Sequence, residues 1–388
     1  MNRVAIIGGK LQGTEAVYLA GKAGIRSLVI DKNENAPASG FCDEFAAYDV
    51  LKKEEKLIKL LKTADFILPA LENKEVHTAL FEIAAEHHIK IAFDPYAYSI
   101  SSSKLLSDKL IRANDVPAPC YFPECKSPYI IKPSGESGSV GVRKAETIKE
   151  VEAFLHAVGN PRDWVIQEYL EGRSYSIEVI GSPGNYRTYA VTEIHMDEVY
   201  DCCMVTSPCP VTERQTKEFE RMAIQLATLV DLHGIMDVEV IDDEGTLKVL
   251  EIDARIPSQT PMVVYHTTGM NLLSELADMT VNGDFLPRKE HTLRYSAIEH
   301  YLVDAKGFHR HGEHIMGEAG PLILRENLFG ADEVLSDYRP GAESWRGTFI
   351  NVADSLKELE AKRGAMQQQL LRSIAGNGSR TGTERIGG

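Results

Sequence analysis

The sequence predicts a mixed α/β and α+β protein of three domains, on three observations. Residues 1 to 94 alternate short apolar runs with helical segments, residues 95 to 185 are β-rich around a Gly/Ser loop, and residues 186 to 375 mix long helices with paired strands. A length of 388 residues fits that division.

The first domain reads as Rossmann-like. Val4 to Ile7 is a continuous apolar run ending at Gly8-Gly9, Gly13 to Ala23 is rich in helix formers, and Ser27 to Ile30 is a second run ending at Asp31. Strand, turn, helix, and strand closed by an acid is the βαβ unit of a parallel sheet. Leu57, Ile58, Leu60 and Leu61 give Leu51–Lys62 a helical spacing, Phe66 to Leu68 is a strand, Lys74 to His88 a helix, and Ile89 to Phe93 a fourth strand. Gly8-Gly9-Lys10-Leu11-Gln12-Gly13 departs from G-x-G-x-x-G, so a tight strand-to-helix turn is favoured over a nicotinamide dinucleotide site. Open α/β sheets nevertheless bind ligands at the carboxyl ends of their strands, and a small ligand is expected there.

In the middle region Lys104 to Asn114 is helical and stops before Val116-Pro117. Tyr129 to Lys132 is a strand running into the loop Pro133 to Gly141, and Thr147 with Glu150 caps a helix that ends near Val158. Trp164–Tyr169, Ser174–Ile180 and Arg187–Val191 read as strands. In the third region Thr212 and Gln215 cap a long helix read as ending at Gly234. Val238–Ile241 and Thr246–Ile252 flank Asp242-Asp243-Glu244-Gly245, a hairpin signal, and Asn271–Asn282 is a helix stopped by Gly283. From Gly376 to Gly388 there is almost nothing to bury, which predicts a disordered tail.

Charge narrows the partners. The balance of 42 Lys+Arg against 57 Asp+Glu gives -15, with no basic stripe, so nucleic acid and anionic membrane surfaces are excluded as partners. The N-terminus lacks a signal-peptide pattern, no run approaches ~18 apolar residues, and the six cysteines show no framework spacing. A reduced, cytoplasmic enzyme is expected.

Two clusters carry chemistry. Lys132 ends an apolar strand just before the Ser134–Gly141 loop, so a fixed cation and close-approaching backbone N–H groups converge, as phosphate binding requires. Glu251 and Asp253 sit two apart on one strand and share a face, and the hairpin places Glu239 on the neighbouring strand. Leu247, Val249, Leu250 and Ile252 make that strand look buried rather than an exposed acidic face. Three such carboxylates suit Mg²⁺ on nucleotide phosphates, and Arg255 has the parity to clamp a transferring phosphoryl group. His309, His311 and His314 fit no zinc spacing and read as a polar loop, while Tyr265 and His266 are candidates for a pocket wall.

These motifs together resemble the ATP-grasp carboxylate-amine ligases over residues 1 to 285. Lys104 stands where that family has its first ATP lysine, and Lys132-Pro133-Ser134 with its loop, including Ser139, is similar to the second lysine and lid. Gln167-Glu168-Tyr169-Leu170-Glu171-Gly172 is similar to the adenine-reading hinge, which points to Glu168, Tyr169 and Leu170. Glu239 and Glu251-Ile252-Asp253-Ala254-Arg255 match the Mg²⁺ acids and arginine of E-x-N-x-R, with Asp in the Asn position. Ser174 stands where the family commonly has a ribose-binding Glu. The resemblance implies an ATP-grasp fold: a Rossmann-like domain at 1–94, a lid at 95–185 and an α+β domain at 186–375.

Gly8 to Gly13, Val29 to Asn33, and Leu250 to Arg255 with Pro257-Ser258-Gln259-Thr260-Pro261 more narrowly resemble the pyrrolysine-biosynthesis branch, whose ligases join 3-methyl-D-ornithine to the side-chain amine of L-lysine. That resemblance implies ATP and Mg²⁺ as cofactors, and L-lysine with 3-methyl-D-ornithine or D-ornithine as substrates. It places Lys10, Asp31 and Asp49 near ATP, and Leu11, Gln12, Glu72, Glu178, Asp253, Arg255 and Ser258 at the amino acids. Glu72 and Glu178 are candidates for holding ammonium groups, or else ordinary solvated acids. Arg255 and Lys132 would be catalytic, neutralising charge on the transferred phosphoryl group. Another ATP-grasp activity, a carboxylase or a D-alanine-type dipeptide ligase, stays open, as do a non-catalytic nucleotide sensor and a homodimer.

Overall fold

The apolar runs of the first domain become parallel strands. In the computed structural model, which describes residues 2–136, 138–287 and 292–378, β1 (Arg3–Ile7), α1 (Leu11–Ala23), β2 (Arg26–Asp31), β3 (Glu44–Ala47), α2 (Glu55–Leu61), β4 (Phe66–Pro69) and α3 (Lys74–His87) follow one another. The sheet order is β3-β2-β1-β4, all parallel. α1 packs on the face of Val4, Ile6 and Val29, and α2 and α3 on that of Ala5, Ile7 and Leu28. The fourth strand is therefore β3. Ile89–Phe93, expected as a strand, makes one bridge, Ile67 to Ile91. Asp94 then turns the chain, its carboxylate accepting the N–H groups of Tyr96 and Ala97 to start α4 (Pro95–Ser101).

Residues 95–113 do not belong to the lid. Ala97 of α4 and Ile111 of α5 (Lys104–Ala113) are buried in the core of the third domain. The lid proper is β5 (Tyr129–Pro133), β6 (Arg143–Ala145), α6 (Ile148–Ala157) and β7 (Trp164–Glu168), with sheet order β6-β5-β7 around Tyr129, Ile131, Val151 and Ile166.

The rest of the chain is β8 (Ser174–Ser182), β9 (Asn185–Thr188), β10 (Thr192–Met196), β11 (Cys202–Ser207), α7 (Glu213–Leu229), β12 (Gly234–Asp243), β13 (Thr246–Asp253), α8 (Thr260–Thr268), α9 (Leu272–Asn282), β14 (Tyr295–Asp304), β15 (Gly307–Arg310), α10 (His314–Gly317), β16 (Ile323–Glu326), β17 (Glu333–Ser336), β18 (Trp345–Ala353) and α11 (Leu356–Gly378). Its main path runs β13-β12-β8-β10-β11-β14-β18-β17-β16, with β9 on β8 and β15 on β14. β8 pairs with β12 from Ser174 to Gly181. The boundary expected at 185 thus falls near residue 170.

Two helix ends differ from expectation. α7 stops at Leu229, because Asp231 takes a left-handed φ of 52° and Leu232 N–H reaches the Ala227 carbonyl at 2.9 Å. Gly234 opens β12 instead. α11 continues through Gly378, so residues 376–378 of the expected disordered tail are helical, and 379–388 lie outside the described residues. Among the described residues no helix is long and apolar enough to cross a membrane.

Candidate active site

The two-residue turn Glu244-Gly245 sets the register of β12 on β13, and β8 lies on the other side of β12. That register lines up two rows of side chains across one face. Ser176, Glu239 and Glu251 form the first row, and Glu178, Asp237 and Asp253 the second. Strand parity could have found Asp237, two residues before Glu239.

Above the first row lies a cavity of about 400 Å³ between the lid and the third domain. Lys104, Lys132, Ser139, Glu168, Tyr169, Leu170, Glu239 and Glu251 all line it, with Ile130, Ile241 and Leu250 supplying apolar walls, and Ser174 is at its edge. Lys104 opens α5, and its ammonium donates to Glu251 Oε1 and to the Glu136 carbonyl, both at 2.7 Å. Burial draws its pKa down, but Glu251, Asp253 and Glu239 outweigh this and raise it. Lys132 is different: burial prevails over the attraction of Glu251 and Asp108, and its pKa is lowered. Ser139, left-handed at φ 58°, donates its hydroxyl to the Tyr200 carbonyl, which carries the loop across the cavity mouth.

The hinge is firmly held. Glu168 N–H goes to the Cys120 carbonyl and Tyr169 N–H to that of Pro128, both at 2.8 Å. The Glu168 carboxylate accepts from Lys248 Nζ at 2.9 Å and Cys120 N–H at 2.8 Å. Glu168, Tyr169 and Leu170 thus line the cavity from a fixed turn.

A second cavity, of about 110 Å³, adjoins the first over the acidic rows. Asp237, Glu239, Glu251, Asp253, Arg255, Ser258, Gln259 and Glu313 line it. Arg255 Nη2 bonds Asp253 Oδ2 at 2.7 Å, Nε bonds Glu72 Oε1 at 3.0 Å, and Nη1 lies 3.8 Å from Asp237 Oδ1. Burial opposes the charge of Arg255, but Asp253, Glu72 and Asp237 outweigh it and raise its pKa. Burial, then Glu251, pushes Glu239 up to about 7. Asp253 is also pushed to about 7 by burial, against the pull of Arg255. Burial does the same to Glu178. Both oxygens of Glu178, Oδ1 of Asp237 and Oε2 of Glu313 are buried without a well-formed hydrogen bond.

The expected trio Glu239, Glu251 and Asp253 does not converge on one point. Among the described residues no three His, Cys, Asp or Glu side chains form a metal-holding group. Asp253 is turned to Arg255 and Glu251 to Lys104, which leaves Glu239 and Glu251 as the directly opposed acid pair.

Lys10, Asp31 and Asp49, expected near ATP, do not line the first cavity. They line a separate space of about 580 Å³ at the carboxyl ends of β1, β2 and β4, with Leu11, Gln12 and Glu72. Asp31 there accepts the N–H groups of Gly9 and Asn33, both at 2.8 Å, and Asp49 that of Leu51 at 3.1 Å. Glu72 joins this space to the acidic cavity, accepting from Gln12 Nε2 at 3.0 Å as well as from Arg255.

Glu313 gave no sequence signal, since it lies in the polar stretch after β15. Its N–H goes to the Cys202 carbonyl at 2.9 Å, and the next residue, His314, pairs with Asp201. Tyr265 and His266 line neither cavity. His266 Nε2 instead meets the Tyr18 hydroxyl at 2.6 Å.

Comparison with known proteins agrees with this geometry. Residues 101–259 match the family described as an ATP-grasp domain. A 3-methyl-D-ornithine--L-lysine ligase of Methanosarcina barkeri is 39% identical over 307 residues, covering 79% of this chain and 81% of that protein. That of Methanosarcina mazei is 40% identical over 310 residues, covering 79% and 80%. Among solved structures, a biotin carboxylase from Campylobacter jejuni superposes with a TM-score of 0.72 at 16% identity, covering 96% of this chain and 95% of that one, a likeness of fold. The chain belongs to the ATP-grasp carboxylate-amine ligases, in the family of the 3-methyl-D-ornithine--L-lysine ligases.

Proposed function

We propose that the protein uses ATP to join the carboxylate of 3-methyl-D-ornithine to the side-chain amine of L-lysine through an acyl phosphate, giving 3-methylornithyl-N6-lysine. The observation that carries the reading is the adjacency of the two cavities. One is flanked by Lys104 and Lys132; the other is lined by the carboxylates of Asp237, Glu239, Glu251, Asp253 and Glu313. Such an acceptor set fits the ammonium groups of two basic amino acids.

The first cavity would hold ATP, with Ile130, Leu250 and the hinge residues Glu168, Tyr169 and Leu170 available to the adenine and Lys104 and Lys132 to the phosphates. Glu239 and Glu251 fit Mg²⁺. They are hard oxygen donors, directly opposed across β12 and β13. Mg²⁺, when bound, neutralises phosphate charge. A substrate carboxylate oxygen then forms the new bond to the γ-phosphorus as the bond to the ADP oxygen breaks, with Lys132 and Arg255 offsetting the charge. The lysine side-chain ammonium must lose a proton before attack, and Asp253, which lines the acidic cavity, is the carboxylate placed to take it; Glu178 is fully buried and lines neither cavity. Attack at the acyl carbon forms the amide and expels phosphate.

Glu72, with Gln12 and Leu11, and Ser258 serve the amino acids. Because Lys10, Asp31 and Asp49 line a space apart from the phosphate lysines, any ATP role for them belongs to a second nucleotide. A homodimer is part of the proposal; the biotin carboxylase domain of Hydrogenobacter thermophilus is described as a dimer.

The test is ATP turnover with each amino acid alone and with both, alongside bicarbonate and D-alanine. Turnover that needs both basic amino acids supports the reading. Turnover driven by bicarbonate or D-alanine makes the chain a carboxylase or dipeptide ligase, and nucleotide binding without turnover makes it a sensor.

A further inference from the structure

Glu15 touches neither reaction cavity, yet it is 1% exposed and lies on α1 one turn after Leu11. A buried carboxylate is costly unless its oxygens are satisfied. Here both are: Oε2 accepts the Gln259 N–H at 3.0 Å and Oε1 the Met262 N–H at 2.6 Å. These belong to the N-cap and third residues of α8, donors that a capping box shares between two side chains of the helix itself. The cap residue of α8 makes no such side-chain bond, and one carboxylate from another domain serves both donors.

The backbone it holds is strained. Gln259 has φ 70° and ψ −53°, and the Thr260 N–H donates to the Ser258 carbonyl at 2.8 Å. This is a γ-turn of the rare hand, which a residue with a Cβ keeps only where its surroundings over-determine it. Gln259 is 4% exposed, accepts from Cys202 Sγ at 3.3 Å, and lines the acidic cavity beside Ser258. Strain and a buried acid dedicated to maintaining it thus meet at a substrate-facing edge.

We infer that Glu15 is a positioning residue: it holds the Ser258-Gln259-Thr260 turn in its strained form, fixes that edge of the amino-acid cavity, and ties it to the helix whose first turn carries Leu11 and Gln12. The inference deepens the ligase reading and rests on it. Burial pushes the Glu15 carboxyl up to about 8 although the two N–H donors oppose the shift, so the acid is kept there at a cost.

The test compares the purified full-length wild type with Glu15→Gln, Gln259→Gly and the double variant. The amide of Glu15→Gln accepts one N–H and confronts the other with its own donors. At least a tenfold rise in KM for one or both amino acids is expected, with KM for ATP within twofold. Glycine adopts a positive φ freely, so Glu15→Gln should lower Tm less in the Gln259→Gly background than alone. Unchanged amino-acid KM values, or amino-acid and ATP KM values rising together, would overturn the role. Should Glu15→Gln alone not fold, a folded double variant supports the inference, and an unfolded one reduces Glu15 to a structural tie. A wild type without amino-acid-dependent turnover sinks the ligase reading instead, and the Tm comparison still decides whether Glu15 maintains the strained turn.

Discussion

Arg255 Nε donates to Glu72 Oε1 at 3.0 Å, linking the end of β13 to the loop after β4. This contact joins the Rossmann-like domain to the acid rows, and through Gln12 it reaches α1. The acidic cavity and the space beside α1 are therefore linked across two domains.

Replacing Glu72 by Gln removes the charge that faces Arg255 while keeping the side-chain length. A charge-assisted bond of this kind is worth roughly a tenfold change in binding. KM for L-lysine is expected to rise by about that factor, with KM for ATP little changed, in initial-rate measurements varying each substrate.

Arg255 bridges Glu72 and Asp253 with different nitrogens of one planar group. A lysine ammonium cannot reproduce that fork. Arg255→Lys and Arg255→Ala should both lower kcat, by about 10²-fold on the scale of lost transition-state charge stabilisation. Recovery of near wild-type kcat in Arg255→Lys would show that only the charge matters.

Lys104 holds Glu251 and the lid loop together through two bonds of 2.7 Å. Lys104→Met should weaken ATP binding, measured by titration calorimetry, by roughly tenfold or more, and make lid residues more accessible to protease.

Two glycines on α1 give opposite expectations. A Cβ at Gly13 would lie 2.0 Å from the Gly8 carbonyl oxygen, whereas one at Gly21 meets nothing within 4 Å. Gly13→Ala should destabilise by about 1–3 kcal/mol, and Gly21→Ala should stabilise by about 0.5–1 kcal/mol, read from denaturant unfolding.

His300 bonds Thr348 Oγ1 through Nδ1 at 2.9 Å, and burial pushes its imidazole down to about 3. Near pH 8 it is neutral in both folded and unfolded chains. Below about 6.5 the unfolded chain takes up the proton first, so stability is lost as pH falls toward 3. His300→Asn should flatten this acid limb, with the difference between variant and wild type greatest near neutrality and shrinking at pH 5.

The parts of the site that sequence displayed are those where local pattern fixes geometry. The Glu244-Gly245 turn sets register, register sets parity, and parity puts Glu239 against Glu251. Lys132 was legible because it ends a strongly patterned strand before a Gly/Ser loop, whereas Lys104 was reached only through the family resemblance. Glu313 and Gln259 were not legible, because a loop return and a strained turn place them, and neither has a period. β3, four residues at a sheet edge, lacks the apolar run that marks a buried strand, while Ile89–Phe93 has that run but pairs only through the bridge of Ile91 to Ile67. The helix end at Leu229 was missed because Asp231 took the left-handed position that glycine usually fills.

The proposed reaction turns on attack by a substrate carboxylate oxygen at the γ-phosphorus. It is tested most directly by running the reaction with 3-methyl-D-ornithine labelled with ¹⁸O in its carboxylate, L-lysine and ATP, and analysing phosphate and amide by mass spectrometry. One labelled oxygen is expected in each phosphate released, with one amide formed per ADP. Unlabelled phosphate, or ADP formed without amide, would contradict it.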